Sequence, residues 1–111
     1  MADGGCNNCH GTHNAPKSNL LIEDGNALCV MCHPDVEEGY KAAKSKHAAL
    51  EGNCTDCHLP HSADVGNLLS APMPEICFYC HDRALFDGVK YKHGPVVSDP
   101  FCANCHIPHV A

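Results

Sequence analysis

The sequence predicts a mostly irregular chain with a few short α-helices and negligible β-sheet. Large apolar side chains are scarce: ten of the residues counted as hydrophobic are Cys, and the 111-residue chain has no Trp and only three Phe. Gly, Pro, Asn and Asp recur too often for long elements, and no alternating apolar run supports a strand. The chain also repeats itself every 48 residues, which indicates an array of like units.

The 48-residue repeat runs through the whole chain. It aligns Cys6 with Cys54 and Cys102, and Cys29 with Cys77. It also aligns Asn19-Leu20-Leu21 with Asn67-Leu68-Leu69, and His13 with His61 and His109. We therefore predict one domain over residues 1–111, built of repeats at about 6–53 and 54–101 and a partial repeat at 102–111.

The clearest helix is predicted from Pro34 to Leu50. Proline stands at its start, acidic residues fill its first turn, lysines follow, and Gly52 would end it. His47 would lie on the apolar face of this helix. In the second repeat, glycine and proline interrupt the corresponding stretch at 87–88 and 94–95, so the helix there is expected to be shorter.

All ten cysteines belong to C-x-x-C pairs, and a histidine follows every pair. The cysteines are Cys6, Cys9, Cys29, Cys32, Cys54, Cys57, Cys77, Cys80, Cys102 and Cys105, and the histidines are His10, His33, His58, His81 and His106. The distance between successive motifs alternates between 23 and 25 residues. Such alternation implies two kinds of contact between neighbouring sites.

C-x-x-C-H is the attachment signature of c-type haem. Two thiols about one turn apart can reach both vinyl groups on one edge of the porphyrin, and the adjoining histidine then lies over the iron. Five such motifs predict five haem c groups in a chain of 111 residues. The macrocycles would form much of the core, and the fold class is therefore a multihaem cytochrome c with a haem-dominated core.

Three other uses of the cysteines are less consistent with the pattern. The nineteen residues between Cys9 and Cys29 suit a four-cysteine zinc site, but such a site has no use for the histidines, and five pairs cannot be shared evenly. A disulfide within C-x-x-C closes too short a loop to stabilise much. The ferredoxin pattern C-x2-C-x2-C-x3-C-P is absent. The competing hypothesis of a zinc-binding interaction module predicts a colourless protein, whereas a protein with bound haem absorbs visible light.

Residues 46–81, KHAALEGNCTDCHLPHSADVGNLLSAPMPEICFYCH, resemble the doubled C-x-x-C-H domain of bacterial multihaem c-type cytochromes. CANCHIPH also fits the pattern, whereas CNNCHGTH departs from it at Thr12, where the other copies have Pro60 and Pro108. The resemblance implies an exported electron carrier, periplasmic or extracellular, whose partners are other redox proteins or extracellular electron acceptors. Some related proteins stack into extracellular filaments.

The number of histidines matches the number of axial positions on five irons. Beyond the five motif histidines, the chain has His13, His47, His61, His93 and His109. We expect these five to be distal metal ligands, giving bis-histidine irons with no position for a substrate. The protein would then transfer electrons and would not be an enzyme, although a small haem reductase with one open iron is the competing possibility.

Sequence order suggests a pairing of the distal ligands. Lys46-His47 and Lys92-His93 are similar dipeptides in the two repeats. The histidine of each would ligate the haem that follows it in the chain, so that His47 serves the Cys54 haem and His93 the Cys102 haem. The close second histidines would serve the next haem onward, His13 that of Cys29 and His61 that of Cys77.

This pairing leaves the Cys6 haem without a distal ligand and His109 without a haem. His109 could ligate the first haem of the next subunit, and head-to-tail contacts of this kind build filaments. A soluble monomeric shuttle, in which His109 reaches the Cys6 haem of its own chain, is the alternative.

The charge of the chain limits its partners and its environment. A formal net charge of -6 argues against nucleic-acid binding, and no stretch is apolar enough for a transmembrane segment. The first residues lack the features of a signal peptide, so we expect any export signal to be absent from this numbering.

Overall fold

The computed structural model describes residues 5–109, and within them the chain is mostly irregular, as the sequence predicts. The described part contains three short α-helices and no strand. The helices are α1 at Gly25–Val30, α2 at Pro34–Ala42 and α3 at Arg83–Asp87. Short 3-10 turns precede, separate and follow these helices, at Gly5–Asn8, Ser18–Leu20, Ala48–Glu51, Cys54–Asp56, Gly66–Leu68, Glu75–Tyr79, Gly94–Val97 and Phe101–Asn104.

Helix α2 begins where predicted but ends at Ala42, eight residues before the predicted end. Asp35 and Glu37 occupy its first turn, and the Glu37 carboxylate forms an ion pair with the Lys41 ammonium at 2.7 Å. The extension to Leu50 was wrong. A short helix is held mainly by packing of its apolar face, and α2 packs on α1 in the compact unit that ends at Ala42.

The shorter helix expected in the second repeat is confirmed as α3. Its N-cap is Asp82, whose carboxylate accepts a 2.8 Å hydrogen bond from the Ala84 amide. The helix ends before Gly88, which belongs to the first of the two interruptions that the sequence showed in this stretch. Helix α1 was not predicted, because six residues are too few for a recognisable apolar period.

The chain forms two compact units, Met1–Ala42 and Ala43–Ala111. Across the described residues, Ala71 is the one hydrophobic side chain classed as buried, with 9% of its surface exposed. Leu85 and Tyr91 expose 78% and 83% of theirs. The helices within residues 5–109 are all too short or too polar to cross a lipid bilayer.

Candidate functional site

The five C-x-x-C-H motifs share one backbone turn. In each, the carbonyl oxygen of the first cysteine accepts hydrogen bonds from the amide of the second cysteine, at 3.2–3.3 Å, and from the amide of the histidine, at 2.9–3.1 Å. The turn therefore brings both thiols and the imidazole of one motif onto a single short segment. The predicted site residues of each motif are local neighbours for this reason.

Two motif histidines are oriented by a backbone carbonyl. Nδ1 of His10 lies 3.0 Å from the carbonyl oxygen of Asn19, and Nδ1 of His58 lies 2.9 Å from that of Asn67. A carbonyl can only accept a hydrogen bond, so Nδ1 must carry the proton. In the neutral ring the lone pair is then on Nε2, which is the arrangement of a metal-ligating histidine.

The carbonyl that orients each of these histidines comes from a left-handed turn. Asn19 and Asn67 have φ of 57° and 58°, and the leucine after each is also left-handed. Asparagine tolerates this conformation better than most residues. Neither asparagine was predicted to be a functional residue, although the repeated Asn-Leu-Leu was visible as an aligned segment.

The segment after each Asn-Leu turn pairs with the motif histidine through a short antiparallel bridge. Residue His10 bridges to Leu21 in the first repeat, and His58 to Leu69 in the second. The flanking hydrogen bonds also repeat at 48-residue spacing. They join the Gly11 amide to the Leu20 oxygen at 2.7 Å, Ile22 to Cys9 at 3.0 Å, Leu59 to Leu68 at 2.7 Å, and Ser70 to Cys57 at 2.8 Å.

The segment that contains the Asn-Leu-Leu turn forms a loop, and different side chains close this loop in the two repeats. In the first, Lys17 forms ion pairs with Glu23 at 3.2 Å and Asp24 at 3.4 Å. The Asp24 amide hydrogen bond and the Lys17 ammonium lower the pKa of Glu23, and the carboxylates raise the pKa of Lys17. In the second repeat the positions of Lys17 and Glu23 hold Val65 and Ala71, which line one surface depression.

Replacing Asn67 with valine is expected to destabilise the haem-loaded protein by about 1–2 kcal/mol, because a β-branched residue is disfavoured in the left-handed region. Asn67→Gly is the matched control and should stay close to the parent protein, since glycine enters this region freely. Denaturant unfolding followed by haem absorbance measures the difference. Equal stability of the two variants would contradict the role of the left-handed turn.

The thiols of three motifs lie near one another in the second unit. Burial raises the pKa of the Cys57 thiol, with Asp56 and then Cys80 as further causes. Burial also raises the pKa of the Cys77 thiol, and Cys102 contributes through its charge and a hydrogen bond. The motifs that begin at residues 54, 77 and 102 are therefore close neighbours.

Ring and charge contacts attach α3 to the motif that begins at Cys77. Phe78, inside that motif, lies 5.7 Å from Phe86, measured between ring centroids. The Arg83 guanidinium lies 4.2 Å from the Phe78 ring and bonds the Glu75 carboxylate at 3.2 Å. These contacts orient the helix that follows the motif, and each contributes only a modest free energy.

Two of the five non-motif histidines lie opposite motif histidines. The rings of His47 and His81 have centroids 6.1 Å apart and planes 8° from parallel. The rings of His58 and His109 have centroids 5.9 Å apart and planes 25° from parallel. The structure thus places His47 opposite His81 and His109 opposite His58, whereas sequence order had suggested the Cys54 site for His47 and a neighbouring subunit for His109; the pairing of each distal histidine with a haem stays a prediction.

The pairing of the other six histidines stays a prediction. These are His13, His61 and His93 among the predicted distal ligands, and His10, His33 and His106 among the motif histidines. Within residues 5–109, three or more His, Cys, Asp or Glu side chains nowhere converge as a ready-made metal cluster. Two pairs of facing imidazoles are present instead, and each includes the histidine of a C-x-x-C-H motif, which is the residue that holds the iron of a covalently attached haem.

Comparison with known proteins gives one family. The family model described as "Doubled CXXCH motif" matches residues 1–38 and 47–85. No curated protein and no solved structure matches the chain. The two matched segments together cover more than half of the chain, and each contains two of the five motifs.

Proposed function

Because the chain belongs to the doubled CXXCH motif family of multihaem c-type cytochromes, we propose that it carries electrons through a row of five covalently bound haems. The observation that carries the proposal is the turn shared by all five motifs, in which one carbonyl accepts both the cysteine and histidine amides. Five copies of one anchoring geometry support five copies of one cofactor.

The chain's own residues would hold and orient the cofactors. The thiols of each C-x-x-C pair would form thioether bonds with the two vinyl groups, and the adjoining histidine would bind the iron. The Asn19 and Asn67 carbonyls fix the proton on Nδ1 of His10 and His58, and so direct Nε2 toward a metal. Haem iron supplies one-electron oxidation and reduction when it is bound.

We further propose that every iron has two histidine ligands and that the protein is not an enzyme. Ten histidines are available for ten axial positions, and an iron with two imidazoles has no position for a substrate. Ligation without methionine also favours low reduction potentials.

The proposed location is periplasmic or extracellular, because c-type haem is attached outside the cytoplasm in the bacterial family that the chain resembles. The proposed partners are other redox proteins or extracellular electron acceptors. A formal charge of -6, made more negative by haem propionates, favours a partner with a basic surface.

The sequence suggested head-to-tail assembly with His109 as the ligand that joins two subunits. His109 lies opposite His58 of the same chain, which favours its use within the chain. The electron-transfer proposal holds equally for a monomeric shuttle and for an assembled cytochrome.

The haem content tests the proposed function. The purified mature protein is expected to give a pyridine haemochrome value of five haems per chain and a mass increased by five haem groups. Cys102→Ala/Cys105→Ala is the matched control and should carry four. A colourless protein that contains zinc, or a parent protein with fewer than five haems, would overturn the proposal.

A further inference from the structure

We propose that His109 is the distal ligand of the haem held by Cys54 and Cys57, and that His47 is the distal ligand of the haem held by Cys77 and Cys80. The assignment rests on the proposed function, because it requires haem at both motifs. It differs from sequence order, which would give His47 to the first of these haems and leave His109 without an iron in its own chain.

The separation of the rings is the separation that one iron requires. A histidine nitrogen lies about 2 Å from a metal ion that it binds, and about 1 Å from the centre of its own ring, so two imidazoles on opposite sides of one metal have centroids about 6 Å apart. The observed centroid separations are 6.1 Å for His47 and His81, and 5.9 Å for His58 and His109.

Direct stacking explains these separations less well. Atoms of two rings in face contact lie about 3.5–4 Å apart, so parallel rings with distant centroids must be shifted sideways by roughly 5 Å, more than the width of an imidazole. Rings shifted so far have almost no overlap to stabilise them. His47 and His81 are also both exposed, yet their planes are within 8° of parallel.

The kind of histidine in each pair also supports shared ligation of one iron, independently of the distance between the rings. Each pair joins one histidine that follows a C-x-x-C to one that does not. In the pair of His58 and His109, the Asn67 carbonyl holds the proton of His58 on Nδ1 and leaves Nε2 for a metal. A motif histidine supplies the proximal side of a haem, so the histidine facing it occupies the distal side.

The assignment makes each iron a long-range cross-link within the second unit. His58 and His109 are 109 - 58 = 51 residues apart, and His47 and His81 are 81 - 47 = 34 residues apart. Closing loops of this length restricts the unfolded chain more than closing short ones. The C-terminal segment around His109 would thus be tied to the motif that begins at Cys54.

Removing a ligand in the presence and absence of its assigned haem tests each pair. In the five-haem protein, His109→Ala and His47→Ala should each convert one haem from low spin to high spin, as counted by electron paramagnetic resonance. In a Cys54→Ala/Cys57→Ala background, adding His109→Ala should create no high-spin haem, whereas adding His47→Ala should create one. In a Cys77→Ala/Cys80→Ala background, adding His47→Ala should create no high-spin haem, whereas adding His109→Ala should create one.

A methionine variant tests the same assignment when removal of a haem prevents folding. His109→Met in the five-haem protein should stay low spin and raise the reduction potential of one haem. The introduced methyl group should show nuclear Overhauser contacts to the haem bound at Cys54 and Cys57. Contacts to any other haem, or a new high-spin haem in the Cys54→Ala/Cys57→Ala/His109→Ala protein, would overturn the pairing.

The haem count separates failure of this assignment from failure of the proposed function. A parent protein with five haems but with the wrong response to His109→Ala would overturn the pairing alone. A parent protein without haem would overturn both.

Discussion

The chain made without haem attachment is expected to be unfolded. Among residues 5–109 the only buried hydrophobic side chain is that of Ala71, while Leu85 and Tyr91 are largely exposed. Burial of apolar surface is the main free energy that opposes the conformational entropy of the chain, and the protein by itself buries very little. Covalently attached haem must supply the missing apolar contacts.

Production in a cytoplasm without cytochrome c maturation gives the haem-free chain for this test. We expect no cooperative transition in urea and amide hydrogen exchange at rates close to those of an unstructured peptide. The mature five-haem protein is the control and should unfold cooperatively. A cooperative transition of the haem-free chain would show that the protein core suffices and would contradict the prediction.

The native oxidised protein is expected to be entirely low spin and to bind neither cyanide nor, when reduced, carbon monoxide. Ten histidines occupy the ten axial positions in this proposal, so an external ligand must first displace an imidazole. Visible absorption and electron paramagnetic resonance before and after addition of the ligand measure this directly.

His13→Ala is the control for this prediction, because removal of one proposed distal ligand should produce one high-spin haem that binds carbon monoxide. The competing reductase hypothesis predicts such an open haem in the parent protein. One ligand-binding haem per parent chain would therefore contradict the bis-histidine assignment and favour an enzyme.

Local sequence predicted the features that depend on adjacent residues. The C-x-x-C-H turn needs only five consecutive positions, and all five copies adopt it. Helix α3 is short, as the sequence predicted, and ends at Asp87, because an N-cap and a glycine act within one or two turns. The predicted helix from Pro34 to Leu50 failed beyond Ala42, because its continuation depended on packing that local propensity does not describe.

The role of the Asn-Leu-Leu segment was visible only in part. Its repetition at 19–21 and 67–69 indicated a shared structure. The sequence did not show that the asparagine carbonyl would reach a histidine nine residues earlier, because that contact requires a left-handed turn and an antiparallel return of the chain. The residues that close the loop differ between the repeats, with ion pairs at Lys17 and apolar residues around Val65, so only the Asn-Leu-Leu itself was visible as a shared feature.

The sequence by itself determined the family, the irregular fold class and the anchoring motifs, because each depends on residue types at short, fixed spacing. Only the tertiary structure decided which histidines face each other. His47 and His109 reach His81 and His58 across 34 and 51 residues, and order along the chain had suggested different neighbours. A distal ligand must approach a haem from the face opposite the motif, so its identity is set by the path of the folded chain through space.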